Sequence, residues 1–203
     1  MLQIQSLEVS NWKSLGRKVR IHFGRLTVLV GPNSSGKSNV TDALRFLSEA
    51  VRFGLEAAIA KRGGIKAIRH WPHWRVSIAV QILLTDYHVV SYGFELNLVG
   101  SQGYRVRREY AVTTGPADAQ ERSFILDKGE WVSGPRDLRP SVDPSNLALP
   151  LLAADERFHP ITDALRDIAI YSIYPDALRE PQKIDPTRPM QEHGSNWCSV
   201  LRD

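Results

Sequence analysis

The feature that most constrains this chain is a glycine-framed loop of sequence Gly31-Pro32-Asn33-Ser34-Ser35-Gly36-Lys37-Ser38. It matches the pattern G-x-x-x-x-G-K-[ST], in which the glycines let the backbone turn tightly around phosphate oxygens and point several N–H groups inward. A helix that follows such a loop directs its positive dipole end at the same phosphates. The pattern therefore predicts a phosphate-binding loop.

The positions of this loop have separate predicted tasks. Lys37 can reach the outer phosphates of a nucleoside triphosphate as a point charge, and we expect it to be the catalytic residue. The Ser38 hydroxyl is a suitable ligand for Mg²⁺. The predicted phosphate cradle comprises Asn33, Ser34, Ser35, Gly36, Lys37, Ser38 and Asn39. The loop thus implies a triphosphate and Mg²⁺ as ligands.

The segments on either side of the loop support this prediction. Leu26-Thr27-Val28-Leu29-Val30 is apolar and β-branched, which predicts a short buried strand just before the loop. After the loop, apolar residues recur at helical spacing, so we expect a helix from Ser38 to about Lys61, with a kink or break at Gly54. Strand, loop and helix in this order is the arrangement that the motif requires.

The remainder of the chain predicts mainly strands. Alternating apolar and polar residues indicate two strands before the loop, at residues 2–10 and 19–23. Farther along, short strand-like runs are separated by turn signals, which is typical of hairpins in an antiparallel sheet. The predicted strands of this lobe are Val76–Leu84, His88–Val99, Tyr104–Thr113, Ser123–Leu126 and Glu130–Val132.

The predicted organisation is an α/β domain with four successive parts. Residues 1–62 hold the strand pair, the loop and its helix, and residues 75–134 hold the antiparallel lobe. Residues 147–174 contribute helices and a strand, and the proline-rich residues 175–203 are expected to form an extended tail. The elements predicted in the third part are the helices Leu147–Ala154 and Ile161–Ile168 and the strand Ala169–Tyr174.

Composition excludes several classes of protein. With 203 residues, 42% of them hydrophobic and 24% charged, the chain has the balance of a soluble globular protein. Its apolar runs are too short to span a bilayer and no apolar leader opens it, so we expect a cytoplasmic protein that does not bind membranes. A single cysteine, Cys198, can form neither an internal disulfide nor a zinc cluster by itself.

Charge and aromatic residues leave two interpretations open. The net charge of +4 is compatible with nucleic acid, but dispersed lysines and arginines also fit a merely solvated surface. The densest cluster, Arg105-Val106-Arg107-Arg108, is the best candidate for a contact with a phosphate backbone. His70-Trp71-Pro72-His73-Trp74 has too few ligands for a good metal site, and we expect its tryptophans to pack at a junction between lobes.

Three segments of the chain resemble a known group of proteins. Asn11-Trp12-Lys13-Ser14-Leu15 resembles the N-F-[RK]-S-[FL] opening of the SMC, RecF and OLD-type ATPases. In those proteins the opening precedes a G-P-N-x-S-G-K-S-N loop, which Gly31–Asn39 matches. His193–Leu201 is similar to the D-G-S-N-L-A-x-V-L segment of predicted AAA-type ATPases close to that group.

The resemblance implies the amino-terminal half of an ABC-type ATPase head, with a P-loop core and an antiparallel β lobe. In that group ATP lies between two heads, and each site is completed by a signature motif from the partner. The resemblance therefore implies ATP and Mg²⁺ as cofactors and a homodimer or a partner chain. It also implies DNA as a candidate partner, in repair, DNA handling or antiviral defence. Lys13 corresponds in position to the group's basic residue near the nucleotide.

The parts needed for hydrolysis are not evident. A carboxylate on a buried strand should hold Mg²⁺, and a neighbouring base should orient water. Leu151-Leu152-Ala153-Ala154-Asp155-Glu156 matches such a segment by letter, but it follows a proline and indicates a helix end. Phe124-Ile125-Leu126-Asp127 is too short and leads into a Lys-Gly turn. A signature motif is also absent, so we expect an amino-terminal half-head that is either truncated or completed by another polypeptide.

Three functions remain possible from the sequence. The first is an ATPase that acts with nucleic acid. The second is a nucleotide-gated binding module that hydrolyses nothing by itself and needs a partner chain for the missing motifs. A P-loop kinase of small molecules is disfavoured, because the long antiparallel lobe and the amino-terminal strand pair do not fit it.

Overall fold

A computed structural model of the protein describes residues 3–84, 87–100, 103–115, 117–173, 175–179, 190, 193 and 196–200. The chain divides into two compact units, Met1–Ile168 and Ala169–Asp203. The loop Gly31–Ser38 and the named strands belong to the first unit.

Strands and helices follow one another along the described part of the chain. The strands are β1 (Gln3–Ser10), β2 (Val19–His22), β3 (Arg75–Leu83), β4 (Val89–Val99), β5 (Gly103–Thr114), β6 (Phe124–Asp127) and β7 (Glu130–Ser133). The helices are α1 (Lys37–Phe53), α2 (Leu55–Ala60), α3 (Ile65–Ile68), α4 (Leu149–Leu152), α5 (His159–Arg166), α6 (Pro175–Arg179) and α7 (Trp197–Val200). None of the described helices combines the length and the apolar character that crossing a membrane requires.

The strands form a single seven-stranded sheet in the order β2-β1-β3-β4-β5-β6-β7. Neighbouring strands are antiparallel throughout, and each predicted strand of the lobe is present with ends within one residue of the prediction. Because β1 pairs with β3, the amino-terminal strand pair and the lobe share one sheet. The predicted α/β class with an antiparallel lobe is confirmed.

The core lies between one face of this sheet and the helices. Every second residue of β3 from Val76 to Ile82 is buried, since side chains alternate between the two faces of a strand. From α1, Phe46 is fully buried and its ring centroid lies 6.2 Å from that of Phe94 on β4. The apolar stripe of α1 therefore covers the buried face of the sheet.

The predicted interruption of the long helix is confirmed. Helix α1 ends at Phe53, and Gly54 adopts a φ of 90°, which a residue with a side chain rarely does. Helix α2 then begins at Leu55 and the chain turns again at Gly63 and Gly64.

The predicted buried strand before the loop is not formed. Residues 26–30 have no strand structure, and Leu26 and Val30 are 84% and 89% exposed. A strand needs a neighbour that completes its hydrogen-bond ladder, and none of the described residues pairs with this segment. The segment has the composition of a strand, but the described part of the chain supplies no strand that pairs with it.

The structure also differs from the predictions for the carboxyl-terminal part of the chain. Residues 169–173 of the predicted strand Ala169–Tyr174 are irregular, and Tyr174 lies outside the described residues. The tail was expected to be extended, but it contains the short helices α6 and α7. The helix predicted at Leu147–Ala154 is present in shorter form as α4, and the one predicted at Ile161–Ile168 begins and ends two residues earlier, as α5.

A buried glutamate connects the sheet to the helical layer. Glu109 of β5 is 1% exposed, and its carboxyl group accepts hydrogen bonds from the Tyr92 hydroxyl and the Leu149 N–H, both at 3.0 Å, and from the Ala148 N–H. Burial raises the pKa of Glu109 from 4.5 to about 7, although these hydrogen bonds act in the opposite direction. The protonated carboxyl group is therefore favoured in the folded state.

We expect Glu109 to make the stability of the fold depend on pH. The native state holds a proton that the unfolded chain releases near pH 4.5, so this contribution to the free energy of unfolding is complete below that pH. It is lost as the pH rises through about 7, by up to roughly 3 kcal/mol. Urea unfolding across this range should show the decline in the parent protein and its absence in Glu109→Gln. The matched control is Glu130→Gln, at an exposed position; equal pH profiles for Glu109→Gln and the parent would contradict the assignment.

Candidate phosphate-binding site

The glycine-framed loop ends where α1 begins, and Gly36 makes this transition possible. Gly36 has a φ of 94°, and a Cβ atom there would lie 2.8 Å from the Leu15 side chain. At the other end of the loop, a Cβ at Gly31 would lie 3.0 Å from the Ser35 hydroxyl. Both glycines of the motif therefore stand where a side chain would not fit without displacement.

Lys37 lies across the loop. Its amine donates hydrogen bonds to the backbone carbonyl oxygens of Gly31 and Pro32, each at 2.7 Å, and to the Ser35 hydroxyl at 3.3 Å. These partners are uncharged and belong to the loop itself. A phosphate group would be a stronger partner for this amine, since its oxygens carry negative charge whereas the carbonyl oxygens are neutral.

The other predicted cradle residues are accessible. Asn33, Ser34, Ser35 and Ser38 are exposed, whereas Asn39 is half-buried. In the first turn of α1 the Asn39 N–H donates to the Gly36 carbonyl at 2.9 Å, and this turn holds no acidic residue. The start of α1 therefore has the positive character that suits an anion.

The Asn39 side chain has a structural task in this conformation. Its amide nitrogen donates a 2.6 Å hydrogen bond to the Ser14 hydroxyl. The backbone carbonyl oxygen of Asn39 accepts a second one from the Trp12 indole at 3.1 Å. Asn39 therefore fastens the turn at residues 11–15 to the beginning of α1. The structure thus brings the Asn11–Leu15 segment and the loop together, although they lie far apart in sequence.

Lys13, the predicted additional contact, is held beside the same helix. Its amine forms a 2.6 Å ion pair with Asp42 of α1. The Lys13 backbone is fixed from the other side, because its N–H donates to the Ile68 carbonyl and its own carbonyl accepts from the His70 ring, at 2.9 and 2.7 Å. The residue has a φ of 47°, in the left-handed region.

Sequence reasoning missed the charged network behind Lys13. Arg62, whose side chain is only 5% exposed, contacts Asp42 at 2.9 Å and Glu49 at 2.5 Å. Burial alone would raise the pKa of Asp42, but the contacts with Lys13 and Arg62 lower it below its usual 3.8. Asp42 and Glu49 are spaced by two helical turns on α1, which was the available signal, but their shared partner comes from after α2.

A mainly apolar cavity of about 470 Å³ lies beside the loop. Its walls combine β2, the exposed residues 28–30 and the loop itself, with Leu15 and Val40 also contributing. The volume lies within the range of small-molecule sites, roughly 300–1,000 Å³. The glycine-framed loop therefore borders a space that is large enough for a small-molecule ligand.

In the structure, the two acidic segments considered for hydrolysis lie after α4 and at the end of β6. Asp155 follows the end of α4 and is held by the Arg157 guanidinium at 2.8 Å, which confirms the helix-end interpretation. Asp127 is the last residue of β6, and the turn at Lys128 and Gly129 leads directly into β7. Neither segment forms a strand ending beside a metal-binding cluster.

Metal chemistry is not supported elsewhere in the part of the chain that the structure describes. It contains no group of three or more His, Cys, Asp or Glu residues placed to hold a metal ion. His70 and His73 stack with ring centroids 6.0 Å apart. Trp71 and Trp74 are 71% and 58% exposed, so the prediction that these tryptophans pack at a lobe junction is wrong.

A family comparison matches the region around the loop. Residues 26–77 match the sequence model of the AAA domain family described as putative AbiEii toxin of a type IV toxin–antitoxin system. The match includes the whole loop, α1 and the connection that follows it, and ends at the start of β3.

Curated relatives include chromosome partition proteins. The chain is 45% identical over 47 residues to the Smc protein of Chlorobaculum tepidum, which is 23% of this chain and 4% of the relative. It is 39% identical over 62 residues to the Smc protein of Bacillus subtilis, which is 30% of this chain and 5% of the relative. A human relative, structural maintenance of chromosomes protein 1B, is 52% identical over 48 residues, again 23% of this chain and 4% of that protein.

One solved structure is similar over part of the chain. It is the recombination mediator protein RecF with ATP, with 18% identity and a TM-score of 0.38 over 52% of this chain and 27% of that one. The matched segments span only a small part of the Smc relatives. The predicted resemblance is confirmed at this level: the amino-terminal region of the chain is similar to the SMC/RecF-like ABC-type ATPases.

Proposed function

We propose that this chain binds ATP with Mg²⁺ through the loop at Gly31–Asn39. The observation that carries the proposal is the position of Lys37, whose amine lies over the loop between Gly31 and Ser35. The positive dipole end of α1, whose first turn holds no acidic residue, and the neighbouring 470 Å³ cavity support it. Charge, backbone donors and space for a ligand thus meet at one place.

The same residues suggest how the loop receives a phosphate. Lys37 exchanges the Gly31 and Pro32 carbonyl oxygens for the more strongly attracting phosphate oxygens. Ser35 and Ser34 are exposed along the loop and add donors, and the Ser38 hydroxyl is placed at the first turn of α1 to hold Mg²⁺. Bound Mg²⁺ would supply positive charge that neutralises the phosphates.

Lys13 is the second proposed contact with the nucleotide. Its ion pair with Asp42 keeps the amine beside α1, and Leu15 of the same turn touches Gly36 at the loop. Lys13 and Asp42 are both partly exposed, so the amine can change partners at small cost. Asp42 would then act as a positioning residue, itself held by Arg62.

The broader role follows from the relatives. The Smc proteins that match the region of the loop are named for chromosome partition. We propose that the nucleotide cycle of this chain is coupled to DNA repair, DNA handling or antiviral defence, with assembly as a homodimer or with a partner chain. The matched residues cover about a twentieth of the Smc relatives, so this role extends beyond what they share.

A second candidate is a nucleotide-gated module that hydrolyses nothing by itself. Asp155 is committed to Arg157, and the apolar segment 26–30 before the loop is exposed without a strand beside it. A partner that provided both a strand for this segment and an acidic residue would complete the site. This candidate shares ATP binding with the first and differs from it in turnover.

Lys37→Ala should weaken binding of Mg²⁺–ATP by at least about tenfold, because a charge-assisted hydrogen bond contributes roughly 1.5–3 kcal/mol. Isothermal titration calorimetry on the full chain would measure the affinity. Lys66→Ala, which removes an exposed lysine from α3, is the matched control and should bind as the parent does. Unchanged affinity in Lys37→Ala would show that the loop is not the nucleotide site.

Lys13→Ala should weaken ATP binding by a few-fold to about tenfold, while the free energy of unfolding falls by less than about 1 kcal/mol. Lys61→Ala is a close control, since Lys61 also pairs with an α1 carboxylate, Glu49, at 2.5 Å. Titrating both variants with ATP distinguishes the loss of a contact with the nucleotide from the loss of an ion pair with α1. Equal affinities in Lys13→Ala and Lys61→Ala would restrict Lys13 to a structural role.

The full 203-residue chain, purified alone, should bind ATP and release phosphate no faster than Lys37→Ala does. The reason is that Asp155 is held by Arg157, and Asp127 lies at the end of β6 just before the turn into β7. A phosphate-release assay with excess Mg²⁺ measures turnover. Turnover that Lys37→Ala abolishes would favour the self-sufficient ATPase over the nucleotide-gated module.

A further inference from the structure

The segment Arg69–Trp74 presents two exposed tryptophans around an arginine. The Arg69 guanidinium lies 4.8 Å from the ring centroid of Trp71 and 5.0 Å from that of Trp74. With 71% and 58% of their surfaces exposed, both indoles offer area to a ligand. We call Arg69, Trp71 and Trp74 the indole platform.

Other tryptophans of the described chain show what this residue does in the fold. Trp12 is fully buried against Phe46, with ring centroids 4.8 Å apart. Trp131 packs edge-on against Phe124. The tryptophans of the indole platform take no part in these two contacts. Both of their rings are exposed to solvent instead. Exposed aromatic rings of this size commonly mark binding surfaces.

The surroundings of the platform are positively charged. Within the described residues, Arg17, Arg69 and Arg105 form no ion pair, whereas Arg75 and Arg107 both contact Glu95, at 2.7 and 2.8 Å. The positive charge of the first three is therefore uncompensated. It lies close to the tryptophans, because Arg17 and Trp74 line one groove of about 420 Å³.

This groove connects the platform to the sheet. Its lining includes Asn97 near the end of β4, and Asn97 is the register partner of Arg105 on β5. Directly opposed residues on neighbouring strands have side chains on the same face, roughly 5 Å apart. Indoles, groove and the Arg105 side chain thus follow one another along a single surface.

We propose that the indole platform and this groove form a binding site for single-stranded nucleic acid. Bases of a single strand expose flat faces that stack on indoles, and its phosphates pair with arginines. Bases of a duplex are already stacked on one another, so a duplex would use only the arginines. The combination of exposed indole rings with guanidinium groups that form no ion pair therefore favours a single strand over a duplex.

The proposal deepens the DNA-related part of the proposed function and rests on that part alone. ATP binding is not required, since no platform residue belongs to the loop at Gly31–Asn39. The experiment is therefore carried out without nucleotide. Lys37→Ala should bind the nucleic acid as the parent does, so failure of the nucleotide site and failure of the platform are distinguishable.

The test uses fluorescence anisotropy with the full chain and a labelled oligothymidylate longer than the roughly 4–16 nucleotides that one single-strand-binding domain covers. A duplex of the same length is the second probe. The parent should bind the single strand more tightly than the duplex. Trp71→Ala and Trp74→Ala should each weaken single-strand binding by roughly 5- to 150-fold, and the Phe variants at both positions should retain most of the affinity.

Two control variants distinguish base stacking on the platform from the effect of charge and from the effect of any exposed aromatic ring. Tyr87→Ala removes an aromatic ring that is 83% exposed beyond the opposite end of β4, and it should leave binding unchanged. Arg17→Ala should lower the slope of log affinity against log salt by roughly 0.7, the value for one phosphate contact on a single strand.

Three results would overturn the proposal. The first is equal binding of single strand and duplex with no effect of the tryptophan variants, which would leave a nonspecific basic surface. The second is the absence of binding to either probe, which would also remove the DNA-related part of the proposed function. The third is a change of oligomeric state in Trp71→Ala and Trp74→Ala with unaltered DNA binding, since the platform would then be a protein interface.

Discussion

The close contact between Gly36 and Leu15 is the constraint on which the candidate site depends. A glycine at this position lets the loop pass directly over the turn at residues 11–15, where a Cβ atom would approach Leu15 to 2.8 Å. Trp12 of the same turn is buried under α1 and donates to the Asn39 carbonyl. Loop, helix start and amino-terminal turn are therefore one packed unit, and the shape of the loop follows from the core beneath it.

A charged network extends this unit into the rest of the helical layer. Asp42 joins Lys13 to the nearly buried Arg62, which also reaches Glu49 farther along α1. Arg62 is only 5% exposed, so removing Asp42 or Glu49 would leave its charge poorly compensated, which is strongly destabilising. Asp42, held in this way, keeps the partly exposed Lys13 amine beside α1. The Lys13 N–H also donates to the Ile68 carbonyl, which connects the turn to the segment that leads to the indole platform.

Sequence patterns predicted the lobe well because its hairpins are local. Strand ends followed from alternation and turn residues, and neighbours in sequence became neighbours in the sheet from β3 to β7. Residues 26–30 form an apolar, β-branched run that is also typical of a strand, and yet they form none. The reason is that a strand must pair with a second segment, which the run itself does not contain. The tryptophans at 71 and 74 were misplaced for a related reason: hydrophobicity predicts burial on average, whereas exposure depends on what the fold brings nearby.

By itself, the sequence determined the glycine-framed loop motif, the start and interruption of the long helix, the hairpins of the lobe and the likeness to SMC/RecF-like ATPases. These depend on residue type and short spacing: glycine conformations, alternation of side chains and the order of a motif. Only the tertiary structure decided that Lys37 rests on the loop carbonyls, that Asp42 and Arg62 hold Lys13, and that two tryptophans flank Arg69 in solvent. The contacts of Asp42 join segments distant along the chain, and those of Lys37 and Arg69 depend on the path of the backbone between near neighbours. Both are set by packing, which no local pattern encodes.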